Sequence, residues 1–275
     1  MTDPPIPLPA DLAPGDAASL ALDWSALRLL RVDSTDHPWF ARAYDRLWQE
    51  FGHRNEMETR PVIARRLADP WRRVGELLLH YQLLVVARGD QLIAVRDHTA
   101  IAAPHAVVVH LSHVVIEPPH RGSGLAGWLR ALPLQAARAA ADTLGLPDPP
   151  ISLVAEMEHP DGVTPDVMTR LRSYARAGFL VVDPRHAPYL QPDFRPPADI
   201  DATSVQPVEL ALVVRRVGRE SMRSIPGAEL RHLVAALYRM YAAVGAPDAH
   251  MAPLWSRLAT FPPDDAAVPL RPPLE

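Results

Sequence analysis

Apolar and polar positions along this chain follow two rhythms. Segments 26–32, 81–87, 91–95, 107–116, 151–157, 179–182 and 208–217 are short runs rich in Val, Leu and Ile, and they read as strands. Between them apolar residues recur three and four positions apart. Trp39, Phe40, Ala43, Tyr44, Leu47, Trp48 and Phe51 form one such face over 36–52, with Asp36 as N-cap and Pro38 in the first turn. A shorter helix is expected over 60–68. Arg88-Gly89-Asp90 separates two apolar runs and reads as a hairpin turn. The long apolar run 107–116 has the character of a buried strand, and a helix over 124–144 follows it. Thr164 and Pro165 open a further helix that ends at Gly178, a left-handed C-terminal residue. A last helix over 228–244 places Leu230, Leu233, Leu237, Met240 and Tyr241 on one side, to dock on the sheet or to form a homodimer contact. The order β, α, α, three strands, α, β, α, β, β, α predicts a mixed α/β (α+β) fold with a partly antiparallel sheet.

Both ends are dense in proline, with Pro4, Pro5, Pro7, Pro9 and Pro14 at one and Pro262, Pro263, Pro269, Pro272 and Pro273 at the other. Dense proline sustains neither a helix nor a central strand. Residues 1–25 and 262–275 are therefore expected as extended or disordered tails. They would bracket a main domain over 26–218 and a helical extension over 219–261.

Composition narrows the chemistry by exclusion. The 275 residues are 48% hydrophobic, enough for a sizeable core, and the formal net charge of −4 provides no basic field for nucleic acid. No stretch approaches the roughly 18 apolar residues of a membrane helix, and no targeting signal stands out, so a cytoplasmic location is expected. There is no cysteine, which excludes disulfides, thiolate nucleophiles and cysteine-based zinc sites. There is no lysine either, which excludes a Schiff base. The twelve histidines are scattered without convincing carboxylate partners, and no metal site is expected.

The segment 107–126 carries the sharpest signal. A buried strand runs into the turn Arg121-Gly122-Ser123-Gly124-Leu125-Ala126, and the turn opens a helix. The first amides of a helix lack internal partners, and the helix dipole adds positive potential there. Gly122 and Gly124 carry no side chains, so a phosphate can approach the backbone closely, and Arg121 adds charge. A dinucleotide fold would need G-x-G-x-x-G near the first strand of a parallel sheet, and the Walker lysine is absent.

These residues resemble the acyl-CoA turn of the GNAT superfamily of N-acyltransferases, whose pattern is R/Q-x-x-G-x-G/A after a strand ending in Val-x-Pro. Arg121, Gly124 and Ala126 fill its three defining positions. A second piece, Tyr174-Ala-Arg-Ala-Gly178-Phe179, is similar to the family's Tyr-x-x-x-Gly-Phe signature, and the spacing of one helix and one strand between the two pieces fits. The resemblance implies a centrally splayed sheet flanked by helices, with the strands 107–116 and 151–157 diverging around a thioester. It implies that backbone groups of Val114, Val115 and Ile116, at a bulged strand end, pair with pantetheine. Arg121, Gly122, Ser123, Gly124, Leu125 and Ala126 would then hold the pyrophosphate of acetyl-CoA or another acyl-CoA. It assigns Tyr174 as the acid for the departing thiolate and His110 as a base acting through water. The family's asparagine before the tyrosine is replaced here, where Asp166 and Val167 stand.

Strand alternation puts His110 and Ser112 on one face of their strand and His113 on the other. Glu156 and Glu158 are in phase at the end of the next strand and are expected to line the acceptor side and attract a cationic amine; Glu56 and Glu58 precede the second helix, where such enzymes contact the acceptor. Without cysteine, direct attack in a ternary complex is favoured over an acyl-enzyme. The resulting expectation is acetyl transfer from acetyl-CoA to a primary amine, with an acyl-CoA-binding sensor or scaffold as the alternative.

Overall fold

The computed structural model describes residues 3–160 and 162–274. Of the expected tails, positions 1, 2 and 275 lie outside the described residues, as does position 161.

One mixed sheet of eleven strands organises the molecule. In chain order the elements are β1 (Arg28–Val32), α1 (Phe40–Phe51), α2 (Arg60–Ala68), β2 (Trp71–Val74), β3 (Leu77–Arg88), β4 (Gln91–Ala103), β5 (Ala106–Ile116), α3 (Leu125–Leu144), β6 (Ile151–Met157), α4 (Pro165–Arg176), β7 (Leu180–Val182), β8 (Tyr189–Gln191), α5 (Pro197–Thr203), β9 (Val208–Arg216), β10 (Ser224–Pro226), α6 (Gly227–Ala242), α7 (Asp248–Ala259) and β11 (Ala267–Arg271). The strand order is β1-β3-β4-β5-β6-β9-β7-β11-β10, with β2 on β3 and β8 on β9. Among the described residues only β5 and β6 are parallel neighbours, and the helix α3 makes the crossover between them.

Alternation along the strands sorts side chains to the two faces. Val107, Val109, Leu153 and Val213 pack under α3 and α4 with Leu134, Ala137, Leu171 and Phe179. On the opposite face Tyr81, Leu83 and Val85 meet α1 and α2, while Leu79, Val108 and Val214 meet α6 and α7. Leu230, Leu233, Leu237, Met240 and Tyr241 are all buried in this second layer, so the apolar side of α6 docks on the sheet within its own chain.

The proline-rich ends depart from the expectation of extended or disordered tails. Residues Pro9–Asp11 and Pro14–Ala21 form 3-10 turns with Ala13, Asp16 and Ser19 buried. Proline arrives with φ already fixed, so ordering such a segment loses little backbone freedom. At the other end β11 is not peripheral: it lies between β7 and β10, pairing Leu270 with Val182 and Val268 with Ile225. Pro269 sits inside it, and its carbonyl accepts from the Asp183 amide at 3.2 Å. α7, with Pro253 inside and Leu254 fully buried, is a further helix beyond the last one expected. Leu254→Ala should therefore lower the unfolding free energy by about 2–5 kcal/mol, as for other core leucines, measured from the midpoint of urea unfolding.

Candidate active site

The site originates in a loss of pairing at the centre of the sheet. β5 and β6 run side by side from Val107↔Ile151 to His110↔Val154 and then part. Each stays in the sheet through its outer neighbour, β5 through Ile116↔Ala94 on β4 and β6 through Met157↔Ala211 on β9. A bulge marks the point of departure. Thr99 pairs with His110 and Asp97 with His113, so Leu111 and Ser112 together oppose His98. The bulge also changes which side chains meet. Strict alternation puts His113 opposite His110; instead His110, Ser112 and His113 border one cavity, on the α1–α6 face.

On the α3–α4 face the parted strands open into a groove of about 640 Å³. Its walls include Val114, Val115, Ile116, Arg121, Gly122, Ser123, Gly124, Ala126 and Tyr174. Leu125 is buried behind the turn as the first residue of α3. Gly122 and Gly124 have φ of 76° and 89°, in the left-handed region that suits glycine. Among the described residues nothing accepts from the amides of Gly122, Ser123 or Gly124, while Leu125 N reaches Ser123 Oγ at 3.4 Å. The two glycines differ in what faces them. A Cβ on Gly122 would meet nothing within 4 Å, whereas one on Gly124 would lie 2.9 Å from Ser19 Cα. The space at Gly124, reserved in sequence for a phosphate, is thus bordered by the chain's own N-terminal segment. That segment is anchored by Asp16, which accepts from Arg130 Nε at 3.1 Å, and by Trp128 Nε1 donating to Ser19 O at 2.7 Å. Tyr174 is buried on α4, edge-on to Phe179 at 4.8 Å between ring centres, with the Arg130 guanidinium 5.7 Å from its own ring centre.

The opposite face holds a small cavity of about 40 Å³ lined by Glu56, Glu58, Arg66, His110, Ser112, His113, Glu156, Glu158 and Tyr241. Glu156 is its hub. It accepts from His110 Nε2 at 3.0 Å, from Tyr241 Oη at 2.8 Å and from Tyr189 Oη. Burial alone would favour the neutral acid, but these contacts outweigh it and hold Glu156 below the usual carboxylate range. With Nε2–H committed to Glu156, a neutral His110 ring accepts at Nδ1 from Ser112 Oγ, 3.0 Å away. Glu158 is bound by Arg54 and Arg170, and Glu58 is gripped by both Arg66 Nε and Nη2 at 2.7 and 2.8 Å. Glu56 is raised by burial and by the neighbouring Glu158 charge. A second, larger cavity of about 500 Å³ adjoins this one and shares Glu58, Phe194 and Tyr241 with it. Tyr189, Tyr241 and Arg66 were not expected at the site from the sequence, and Tyr241 was read only as part of the apolar side of the last helix. Tyr189 and Tyr241 lie 33 and 85 positions along the chain from Glu156, and no local motif marks any of the three.

His113 is held as a cation. Its Nδ1 faces Asp97 Oδ1 at 2.9 Å and its Nε2 faces Glu56 O at 2.9 Å, two acceptors that require both nitrogens to carry protons. Burial opposes the charge, but Asp97 and the Glu56 carbonyl outweigh it and raise the ring to about 9. A raised value means stability that is full below the ordinary 6.5 and is lost as pH climbs through about 9. The wild-type chain should lose up to about 3 kcal/mol over that interval. Asp97→Asn should flatten the slope, in urea midpoints taken across the same pH range.

No family model matches the chain, and no curated protein matches it. Among solved structures it is similar to a putative GNAT-family acetyltransferase from Bacteroides thetaiotaomicron, at 15% identity over 80% of this chain and 99% of that one, with a TM-score of 0.46. It is also similar to an acetyltransferase of the GNAT family from Streptococcus pneumoniae, at 11% identity over 69% of this chain and 99% of that one, with a TM-score of 0.36. An acyl-CoA N-acyltransferase from Pseudomonas aeruginosa is similar at 20% identity over 69% of this chain and 99% of that one, with a TM-score of 0.34.

Proposed function

We propose that the chain is a GNAT-type N-acyltransferase that moves an acyl group, acetyl in the simplest case, from acyl-CoA to a primary amine. One observation carries this reading: where β5 and β6 part, a groove with unsatisfied helix-start amides lies on one side and a carboxylate-lined cavity on the other. The amides of Gly122, Ser123 and Gly124, with Arg121, suit a diphosphate. The edge of β5 over Val114–Ile116 has lost its β6 partner and offers backbone groups to the amides of a pantetheine arm.

In this reading the neutral amine attacks the thioester carbonyl directly. Its proton passes through Ser112 Oγ to His110 Nδ1, and Glu156 stabilises the imidazolium that forms. As the tetrahedral intermediate collapses, the C–S bond breaks and Tyr174 gives its phenolic proton to the sulfur. Glu156 thereby serves the base rather than the amine, and Glu158 is paired with arginines; Glu56 is the carboxylate best suited to meet a cationic acceptor. No metal is needed for these steps, and among the described residues no group of three His, Asp or Glu side chains is arranged to hold one. No helix among the described residues is long and apolar enough to cross a membrane, and the reading places the enzyme in the cytoplasm with acyl-CoA and an amine as its partners.

A second reading, an acyl-CoA-binding sensor or scaffold, is favoured by the N-terminal segment bordering Gly124. CoA release measured with a panel of amines separates the two. Tyr174→Phe should lower turnover by about 10²-fold or more with CoA affinity nearly unchanged; normal turnover would remove Tyr174 as the acid. Gly122→Glu, at a position with open space around it, should weaken CoA binding by at least about tenfold through like charge at the phosphate site, read by calorimetric titration.

A further inference from the structure

The chain buries five arginines, and four of them face a carboxylate. Arg66 is held by Glu58, Arg130 by Asp16, Arg215 by Glu220 and Arg216 by Glu229. Arg96 on β4 is the exception. It is fully buried, and among the described residues none of its three guanidinium nitrogens has a hydrogen-bond partner. A buried charge without a hydrogen-bond partner is strongly unfavourable; burial holds the Arg96 guanidinium below its usual range, and the nearby Tyr174 and Asp97 offset that only in part. Asp97, next in sequence, points to the other face, where His113 and Tyr81 use it. Asp16 is committed to Arg130, itself a like charge that acts against Arg96. His98, two residues along the strand, is driven strongly toward its neutral form by burial and by Arg96, and supplies no counter-charge. The Tyr174 phenol is near enough to favour the charged guanidinium, yet it does not reach hydrogen-bonding geometry with any of its nitrogens.

Arg96 borders the groove assigned above to acyl-CoA. On the sheet it is paired with Val114, at the strand end assigned to pantetheine. It is thus placed at the inner, reactive part of that groove, beside the proposed acid.

We infer that Arg96 is the charge partner of the CoA sulfur: it holds the thiolate that leaves when the amide forms. The inference rests on the acyl-CoA reading. When the amine nitrogen bonds to the carbonyl carbon, the C–S electron pair goes to sulfur, and Arg96 stabilises that anion until the Tyr174 proton reaches it. The phenolate that remains lies beside the same guanidinium until solvent reprotonates it. Among the described residues the guanidinium has no hydrogen-bond partner, a local instability that an anionic sulfur would relieve.

The test compares CoA with desulfo-CoA, which lacks the sulfur, on the full chain between about pH 7 and pH 10, the range in which a thiol ionises. Wild type should favour CoA over desulfo-CoA increasingly as pH rises, by at least about tenfold at the upper end. Arg96→Met should abolish that rise while changing desulfo-CoA affinity by less than about twofold, and Arg96→Lys should restore part of it. Arg96→Met should also raise the melting temperature of the ligand-free chain, since it removes an unpaired buried charge; a fall would mark Arg96 as structural and overturn the inference. The same rise in CoA preference in wild type and Arg96→Met would overturn it. So would an Arg96→Met defect confined to a carboxylated acyl-CoA such as succinyl-CoA, because the partner would then be the acyl group. If desulfo-CoA itself fails to bind wild type, the acyl-CoA reading falls first, and this inference with it.

Discussion

The structure depends on two strands that stop pairing. β5 and β6 share four registered positions and then follow their outer neighbours apart. Backbone donors and acceptors on the facing edges are left without their ladder at the centre of the sheet. The bulge at Leu111–Ser112 initiates the divergence, since the added residue bends β5 and strengthens its twist. It also turns His113 to the side of His110, so one local irregularity both opens the sheet and furnishes one of the two spaces it creates.

The two spaces have opposite electrostatic character. The groove on the α3–α4 face gathers Arg121, Arg130 and Arg96 around a helix start, with Asp16 bound to Arg130. The cavity on the other face gathers Glu56, Glu58, Glu156 and Glu158, partly offset by Arg66 and the charged His113. In the proposed reading a ligand with phosphates would be drawn to one side and a protonated amine to the other, meeting where the strands part. Phe51 borders both spaces.

Much of the fold was legible because each element announces itself locally. The strand Ile151–Met157 is a mostly apolar run interrupted by Ser152 and Glu156, and the helix Pro165–Arg176 carries its proline at the first position and a left-handed glycine, Gly178 with φ 78°, just beyond its end. What escaped was set by long-range contact. No local pattern tells that Ser19 will rest against Gly124, or that Tyr241 on α6 will complete a network with His110 and Glu156. Proline misled twice. Its missing donor argued for loose ends, yet the N-terminal turns pack on α3 and α4, and β11 tolerates Pro269 by using its carbonyl. The face of His113 was misjudged because period-two alternation has no means of registering an inserted residue. The turn 121–126 was read from the sequence as a place for a phosphate, and the space at one of its two glycines is bordered by the polypeptide itself.

The position of β11 has a temporal consequence. Residues Ala267–Arg271 are the last strand in chain order, yet they lie between β7 and β10. During synthesis β7 waits with one edge open until those residues leave the ribosome, after the helices α1 to α7 have already emerged. For that interval the nascent chain presents an unpaired strand edge over a forming core, and assembly of this half of the molecule is a late, cooperative event rather than a stepwise one.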